Sequence, residues 1–379
     1  MHSTPAARTV AAVQVGSYEY ERVELALRTA LAHVGGLEQY VMPGDRVLLK
    51  PNMLEGVPPE KAVTTHPEIM RALIRLVQEA GAVAVVGDSP GVSNTLKAAG
   101  KCGILAVCRS EGADLQAFDE TVEITHPQGR VVKKFTLAKQ LTAVDKVISV
   151  AKMKTHTFMG ITGATKNLFG CIVGMQKAQF HLRLQARQEF AGMLIDLAGA
   201  VRPVLSIVDG IIGMEGNGPR NGKPVHAGVL LAGADCLAVD MTMAHMMGFR
   251  PEDIPLLSLA LERGIMPPLR EIERVGSALG IRHAFLPPRT LTSLEDRVPR
   301  WVARLGRSQL TARPDIASHC ISCGRCVNHC PPQAMELTDG RVTIDYERCI
   351  RCYCCQELCP ANAVMLSEGK LLKMLRPFL

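Results

Sequence analysis

Aromatic residues are scarce in this chain. Phe, Trp and Tyr together make up 4% of its 379 residues, and Trp301 is the single tryptophan. Proteins that bind single-stranded nucleic acid stack bases on aromatic side chains, so this scarcity argues against nucleic acid as a partner. The formal net charge of +7 is a mild basic excess and adds little to either a nucleic-acid or a membrane interpretation.

Long hydrophobic runs are also missing. A membrane-spanning helix needs about 20 apolar residues, and the most apolar long window, 225–247, is interrupted by Asp235 and Asp240. Residues 1–15 lack a basic segment followed by an apolar one, which a secretory leader requires. These absences predict a cytoplasmic protein with no membrane partner.

Two nucleotide-binding signatures are absent. The segment from Gly160 to Lys166 lacks the G-x4-G-K-[ST] order of a Walker A loop. Gly216 and Gly218 begin like a dinucleotide fingerprint, but Pro219 follows directly, which breaks the glycine spacing that a pyrophosphate needs. We therefore expect no direct use of NAD(P)H. The C-x3-C-x2-C run of radical enzymes is absent as well.

Cysteine, by contrast, is abundant, with 13 residues. Two consecutive stretches each spell C-x2-C-x2-C-x3-C-P, the run with which bacterial ferredoxins hold [4Fe–4S] clusters and whose fourth cysteine ligates the other cluster. Zinc ligands usually come as pairs set well apart, so zinc fits poorly. We predict two [4Fe–4S] clusters. Their predicted ligands are Cys320, Cys323, Cys326 and Cys359 for the first cluster, and Cys349, Cys352, Cys355 and Cys330 for the second.

The five remaining cysteines are interpreted mainly as small buried hydrophobic residues. Cys354 lies inside the second run but out of register, so we do not count it as a ligand. Cys171 lies next to a lysine-rich loop and is the one candidate for a reactive thiol.

The first 265 residues alternate between short aliphatic runs and helical patterns. Residues 67–80 form the clearest helix, with Pro67 in the first turn and Gly81 after the end. Apolar and polar residues do not alternate within the aliphatic runs, as expected for strands buried on both faces. We therefore predict an α/β domain with a mostly parallel sheet over 1–265, a linker with short helices over 266–314, and a small α+β ferredoxin-like domain over 315–379.

Polar residues follow several of the predicted strands. In α/β sheets ligands bind outside the carboxyl ends of the strands, and lysines and glycine-rich loops there suit an anion. His66 is equally consistent with a helix cap and with a proton donor. A basic surface loop is the alternative interpretation of the 152–170 segment. The candidate substrate-binding residues are Lys50, Asn52, Asp88, Lys152, Lys154, Thr165, Lys166, Asn167, Glu215 and Asn217, and the candidate catalytic residues are His66 and His156.

Several motifs together resemble one known family. The motifs are Lys50-Pro-Asn, Thr64-Thr-His-Pro-Glu, Gly87-Asp-Ser-Pro, Lys152-Met-Lys-Thr-His, Thr162-Gly-Ala-Thr-Lys-Asn-Leu-Phe-Gly, Asp209-Gly and Glu215-Gly-Asn-Gly-Pro. They are similar to those of the domain-of-unknown-function 362 family, whose members often carry a C-terminal two-cluster ferredoxin domain. The resemblance implies this domain layout, and it implies neither a reaction nor a substrate.

These observations lead to three functional hypotheses. In the first, the protein is an iron–sulfur oxidoreductase that takes electrons from a soluble partner such as a ferredoxin and reduces a small anionic molecule in the α/β cleft. Lys50, Lys154 and Lys166 would bind the anion, and His66 or His156 would supply protons. In the second, it is a non-catalytic electron carrier or a cluster- or metal-delivery protein. In the third, the clusters are structural and the α/β domain is a ligand-binding or transferase-like unit.

Overall fold

A computed structural model describes residues 8–91, 93–291 and 311–369 of the chain. Residues 292–310 of the predicted linker and 370–379 of the predicted C-terminal domain lie outside these ranges. None of the helices within them is long and apolar enough to cross a membrane.

The larger part of the chain alternates between strands and helices, as the sequence predicts. Its elements are β1 Val10–Gln14, α1 Tyr20–His33, β2 Arg46–Pro51, α2 Pro67–Glu79, β3 Val83–Asp88, α3 Thr95–Lys101, α4 Ile104–Ser110, β4 Asp114–Ala117, β5 Thr121–Thr125, β6 Lys134–Ala138, β7 Lys146–His156, β8 Gly160–Thr162, α5 Ala164–Asn167, α6 Gln176–Arg183, α7 Arg187–Val201, β9 Leu205–Glu215, β10 Lys223–Gly233, α8 Cys236–Met246, α9 Pro255–Glu262 and β11 Arg274–Val275. Single 3-10 turns occur at Leu37–Gln39, Pro59–Lys61, Lys139–Thr142, Leu168–Cys171, Pro251–Asp253 and Leu269–Glu271.

Nine of these strands form one mixed sheet in the order β11-β1-β10-β9-β7-β2-β3-β4, with β8 paired to β7. The pairs from β9 through β7, β2 and β3 to β4 are parallel. β10 is antiparallel to both β1 and β9. The prediction of a mostly parallel α/β domain is confirmed, and the strand order places the carboxyl ends of β2, β3 and β7 side by side.

Helices cover both faces of the sheet. Leu27 of α1 and Leu73 of α2 belong to the hydrophobic core on one face, and Phe190 of α7 and Met241 of α8 belong to the core on the other. Successive strand side chains point to opposite faces, which is why both faces of the central strands are apolar. Burial on both faces explains the lack of alternation in the sequence.

Strand β7 is longer than its aliphatic run suggests. We expected Lys152, Lys154 and His156 to follow the strand, yet all three belong to it. Spaced two residues apart, they share one face of the strand. Lys152 and Lys154 form hydrogen bonds with residues that are distant in sequence, so a prediction from hydrophobicity alone ends this strand too early.

Part of the predicted linker belongs to the sheet. β11 pairs with β1 in parallel, so the α/β sheet uses residues beyond 265. Gly276 follows this strand with a positive φ of 112°, and a Cβ there would clash with the Ala12 backbone. Only glycine fits this close approach without strain.

The C-terminal part of the chain is a small α+β unit, as predicted. It contains β12 Arg313–Ile316, α10 Arg325–Asn328, β13 Met335–Thr338, β14 Arg341–Ile344, α11 Cys354–Leu358 and β15 Val364–Ser367. β12 pairs with β15 and β13 with β14, both antiparallel.

Polar contacts hold this unit against the α/β domain. Buried Glu55 lies between Arg220 of the β9–β10 loop and Arg325 of α10, with Arg325 Nη1 3.0 Å from its carboxylate. Arg220 also donates to the carbonyl of Cys359 at 2.8 Å. The contact places α11 over the carboxyl ends of the central strands.

Candidate functional site

A cavity of about 130 Å³ lies where the carboxyl ends of β2, β3 and β7 meet the C-terminal unit; we call it the interdomain cavity. Its polar lining from the α/β domain comprises Lys50, Asn52, Asp88, Ser89, Lys154, Thr162, Lys166, Asn167, Lys177 and His181. Its lining from the C-terminal unit comprises His329, Cys354, Glu357 and Leu358. Six of the ten predicted substrate-binding residues therefore share one site.

One wall of the interdomain cavity is a buried ion pair. Lys50 Nζ lies 2.7 Å from Asp88 Oδ1, and both side chains are almost fully buried. Asp88 also accepts the backbone N–H groups of Met53 and Ser89, each at 2.9 Å. Gly170 packs directly on the pair, and a Cβ there would lie 2.6 Å from Lys50 Nζ. The two charges neutralise each other, so the pair forms part of the cavity wall and leaves no net charge there for a ligand.

Two asparagines connect β2 to α5. Asn167 Oδ1 accepts from Lys50 Nζ at 3.1 Å and from Asn52 Nδ2 at 3.2 Å. Asn52 Oδ1 in turn accepts from Lys154 Nζ at 2.7 Å. This chain of hydrogen bonds fixes β2, β7 and α5 relative to one another.

Three further lysines of the cavity lack a carboxylate within ion-pair distance among the described residues: Lys154, Lys166 and Lys177. Lys154 donates to Asn52 and to the Val63 carbonyl, and Lys177 donates to the Ser89 carbonyl and hydroxyl. Burial lowers the pKa of all three amines; for Lys154 nearby cations add to the effect, and the pKa of Lys177 falls to about 8. The site therefore holds buried amines that an anion would stabilise in their charged form.

Two other cavity side chains carry polar atoms with no hydrogen-bond partner among the described residues. These atoms are Thr162 Oγ1 and His181 Nδ1, and both residues are buried. His181 stacks on Phe190 with ring centroids 4.6 Å apart, and burial lowers its pKa to about 3. A buried polar atom without a partner costs about 1–3 kcal/mol, so these atoms favour a ligand or water in the cavity.

Glu357 of α11 brings a carboxylate to the cavity. It lies beside His156, with His156 Nε2 3.1 Å from Glu357 Oε1, although the geometry is not that of a hydrogen bond. His156 Nδ1 accepts the backbone N–H of Phe158 at 3.0 Å, which assigns the ring proton to Nε2. Burial lowers the pKa of His156 well below its ordinary value, and burial raises the pKa of Glu357 to about 7. His156 is thus a neutral ring behind the cavity wall.

Lys152 and His66 belong to a separate cluster. Lys152 Nζ lies 2.8 Å from both Asp209 Oδ2 and the Tyr18 hydroxyl. Tyr18 stacks on His66 with ring centroids 3.6 Å apart, and His66 Nδ1 accepts the backbone N–H of Glu68 as the cap of α2. Burial lowers the pKa of His66 to about 4. The structure places His66 in a helix cap and gives it no contact with the interdomain cavity.

Three other predicted residues also lie outside the cavity lining. Thr165 is buried at the start of α5, where its backbone N–H donates to Asp240 at 3.0 Å. Glu215 accepts the backbone N–H of Leu286 at 3.0 Å. The Asn217 carbonyl accepts from Gln356 at 3.0 Å, so Asn217 helps to dock the C-terminal unit.

Several cavity residues were not predicted. Lys177 and His181 lie four residues apart on α6, so they share one face of that helix, and this spacing is the signal that could have identified them. Glu357 and His329 had no such signal, because they come from a different domain and only the tertiary contact brings them here.

The predicted cluster ligands gather in two places. Cys320, Cys323, Cys326 and Cys359 line one small cavity together, although they come from both cysteine runs. Cys330 of the first run lies close to Cys349 and Cys352 of the second, and Cys355 lies close to these three and to Cys326. Each set unites three cysteines of one run with the fourth of the other, as cluster ligation requires. The residues therefore fit the predicted cofactor.

Two of the other cysteines differ in their surroundings. Cys171 is fully buried, and burial raises its pKa to about 12, so the candidate reactive thiol is in fact a poor nucleophile. Cys354 lines the interdomain cavity, between Cys352 and Cys355 of the second predicted ligand set.

Comparison with known proteins identifies the two parts of the chain. Residues 319–363 match the 4Fe-4S dicluster domain, which makes this an iron–sulfur protein. The thylakoid-associated protein sll1697 of Synechocystis sp. is 36% identical over 272 residues, which cover 70% of this chain and 82% of that protein.

The lactate racemase apoprotein from Thermoanaerobacterium thermosaccharolyticum shows 13% identity and a TM-score of 0.40, over 65% of this chain and 58% of that one. This structural similarity is too low to inform function. Residues 47–245 match the family described as a domain of unknown function, DUF362, which confirms the predicted resemblance. The chain belongs to the DUF362 family and joins that domain to a C-terminal 4Fe-4S dicluster domain.

Proposed function

We propose that this protein is an iron–sulfur oxidoreductase that reduces a small anionic molecule in the interdomain cavity, with electrons from a soluble partner such as a ferredoxin. The observation that carries the proposal is the composition of the cavity wall. Lysines of the α/β domain face Cys354 and Glu357 of the C-terminal unit across one small space. The groups proposed to bind the ligand therefore lie close to a residue of the second cysteine run.

Charge supports an anionic substrate. The Lys50–Asp88 pair is neutral, which leaves Lys154, Lys166 and Lys177 facing Glu357 as the remaining carboxylate of the described lining. An anion would restore favourable surroundings to the three buried amines. Thr162 Oγ1 and His181 Nδ1, which have no partner among the residues that the structure describes, would add hydrogen bonds that orient it.

Proton supply is assigned to a lysine as well as to the predicted histidine. A general acid works best when its pKa is close to the working pH, and Lys177, with a pKa of about 8, lines the cavity. His156 holds its proton at Nε2 behind Glu357. We therefore assign Lys177 as the proton donor at the cavity; a role for the neutral His156 would require a proton relay through Glu357.

Electron supply comes from the C-terminal unit. When bound, [4Fe–4S] clusters transfer electrons one at a time, and two clusters would provide the pair that most reductions need. Cys354 lines the cavity and lies between Cys352 and Cys355 in the sequence, so the second predicted cluster would be the nearer one to the bound anion. Cys323 of the first set is exposed, which suits an entry point for electrons from a partner.

The proposal is tested by reoxidation of the reduced protein. Anaerobically purified holoprotein is reduced chemically and mixed with a panel of small carboxylates and oxoanions, while the visible absorption of the clusters is followed. We expect one class of anion to reoxidise the clusters. The rate should fall about a hundredfold in Lys166→Met, because loss of a charge-assisted contact costs about 2–3 kcal/mol, and Lys154→Met should act in the same direction.

Lys97→Met is the matched control, because Lys97 is exposed on α3 and should leave the rate unchanged. The cluster spectra should be the same in all variants. If no anion reoxidises the clusters faster than buffer, or if both cavity variants keep the full rate, the oxidoreductase proposal is wrong.

The electron carrier is the second candidate, and the exposed Cys323 beside Ile321, which is 63% exposed, favours it. A carrier would pass electrons to an added ferredoxin equally well in the wild type and in the lysine variants. An oxidoreductase would in addition show turnover that depends on Lys166.

A further inference from the structure

A second and larger cavity lies at the other end of the strands, where β9 begins and β10 ends. It has a volume of about 640 Å³, which is within the usual range for small-molecule sites. We call it the arginine cavity. Its main polar lining is His126, Arg130, Asp196, Arg202, Asp235 and Arg263.

The two carboxylates of this cavity are occupied by the backbone. Asp196 accepts the backbone N–H groups of Arg130, Val131 and Val132 at 3.0, 2.7 and 2.9 Å. Asp235 caps α8 by accepting the N–H of Leu237 at 2.9 Å. The Asp196 contact also fixes the turn between β5 and β6, which carries Arg130 to the rim of the cavity.

The three arginines, in contrast, form no ion pair with a carboxylate in the described part of the chain. Within the described residues, Arg202 donates to the Gly199 carbonyl alone, at 3.2 Å. Arg263 Nη1 and His126 Nδ1 are buried, and neither has a hydrogen-bond partner in the part of the chain that the structure describes. A guanidinium or imidazole nitrogen left in this state is costly, and an anion would satisfy it.

Helix α7 shapes the floor beneath these groups. Gly192 and Gly199 are seven residues apart, so they lie about two turns apart on the same helix face. A Cβ at Gly199 would lie 2.6 Å from His126 Nε2, and one at Gly192 would lie 3.2 Å from Arg263 Nη2. The two glycines let the ring and the guanidinium approach the helix, and thus bring the basic groups over one surface.

We infer that the arginine cavity is a second binding site, for a phosphorylated small molecule. Guanidinium groups present planar pairs of donors that match phosphate oxygens, and three of them converge here. Ile195, Leu237 and Ile265 supply an apolar wall for the body of the ligand. The site lies at the opposite end of the strands from the interdomain cavity, so it does not depend on the proposed reduction.

The test is a calorimetric titration of the full-length holoprotein with pyrophosphate under anaerobic conditions. We expect saturable binding that weakens at least tenfold in Arg130→Gln and in Arg202→Gln. Both side chains are exposed, so these changes should not prevent folding. Arg109→Gln is the matched control, because Arg109 is exposed on α4 outside the cavity, and it should bind as the wild type does.

Three results would overturn the inference. One is the absence of saturable binding. Another is unchanged affinity in both arginine variants, or an equal loss in Arg109→Gln, which would indicate unspecific charge attraction. The last is a loss of binding in Lys166→Met with retention in Arg202→Gln, which would place the pyrophosphate in the interdomain cavity.

Discussion

At the scale of single residues, the lysines near the sheet edge differ in what neutralises them. Lys50 pairs with Asp88 and Lys152 with Asp209, both at hydrogen-bond distance. Lys154 and Lys166 have no such carboxylate in the described part of the chain. A buried pair is self-contained, whereas a buried amine without a counter-ion is destabilised. The unpaired lysines are therefore the ones available to a ligand.

The pKa of Lys177 predicts how anion binding depends on pH. Burial lowers this pKa from 10.5 to about 8, so the amine is charged below pH 8 and loses its charge above it. The loss of this charge should lower the affinity of the interdomain cavity for a small anion as pH rises beyond 8, by up to about tenfold per pH unit. Titration calorimetry at several pH values measures this.

The Lys177→Met variant separates this lysine from its neighbours. Lys154, Lys166, His181 and Glu357 also face the cavity and can contribute to the profile. If Lys177 is responsible, the variant should bind more weakly below pH 8 and lose most of the decline above it. A decline of equal size in the variant would assign the effect to another group.

At the scale of elements, the turn after α5 holds the Lys50–Asp88 pair in place. Gly170 belongs to the 3-10 turn Leu168–Cys171, and a Cβ added to it would overlap both charged groups. Gly170→Ala should separate the pair and reduce the free energy of unfolding by about 3 kcal/mol, since a broken buried pair leaves charges uncompensated. Chemical denaturation under anaerobic conditions measures the loss.

Gly280→Ala is a suitable control for this change. A Cβ at Gly280 meets open space, and its φ is not in the left-handed region. We expect its unfolding midpoint to match that of the wild type. Similar midpoints for the two variants would mean that the Lys50–Asp88 pair does not depend on the close approach of Gly170.

At the scale of the whole molecule, Glu55 joins the two domains. It accepts from Arg220 on one side and from Arg325 on the other. Glu55→Ala would leave two partly buried guanidinium groups facing each other, so the C-terminal unit should be released more often. Limited proteolysis should then cut between the domains several times faster than in the exposed control Glu21→Ala, and equal rates would argue against this role.

The metal content of the whole molecule tests the cluster prediction. Two [4Fe–4S] clusters correspond to about eight irons per chain in anaerobically purified protein. Removal of Cys326 as Cys326→Ser should lower this number and alter the first predicted cluster more than the second. Two irons or fewer in the wild type would contradict the ligand assignment.

Much of this architecture follows from local sequence patterns. The cysteine spacing identifies the dicluster domain by itself, because ligation depends on the positions of a few nearby residues. Unbroken aliphatic runs separated by helical patterns are sufficient to predict a mostly parallel sheet. Lys50 and Asp88 are found in the same way, since polar residues at parallel strand ends must meet at one edge.

Tertiary structure alone decided which of these polar residues form the site. Lys152 and Lys154 are two residues apart on one strand face, yet Asp209 neutralises the first while the second faces the cavity. Glu357 reaches the site only because the C-terminal unit docks there. Pairing and burial depend on neighbours that are distant in sequence, and these set the energy of a buried charge. The sequence by itself determined the cofactor domain and the sheet, and the packing of the two domains determined the site.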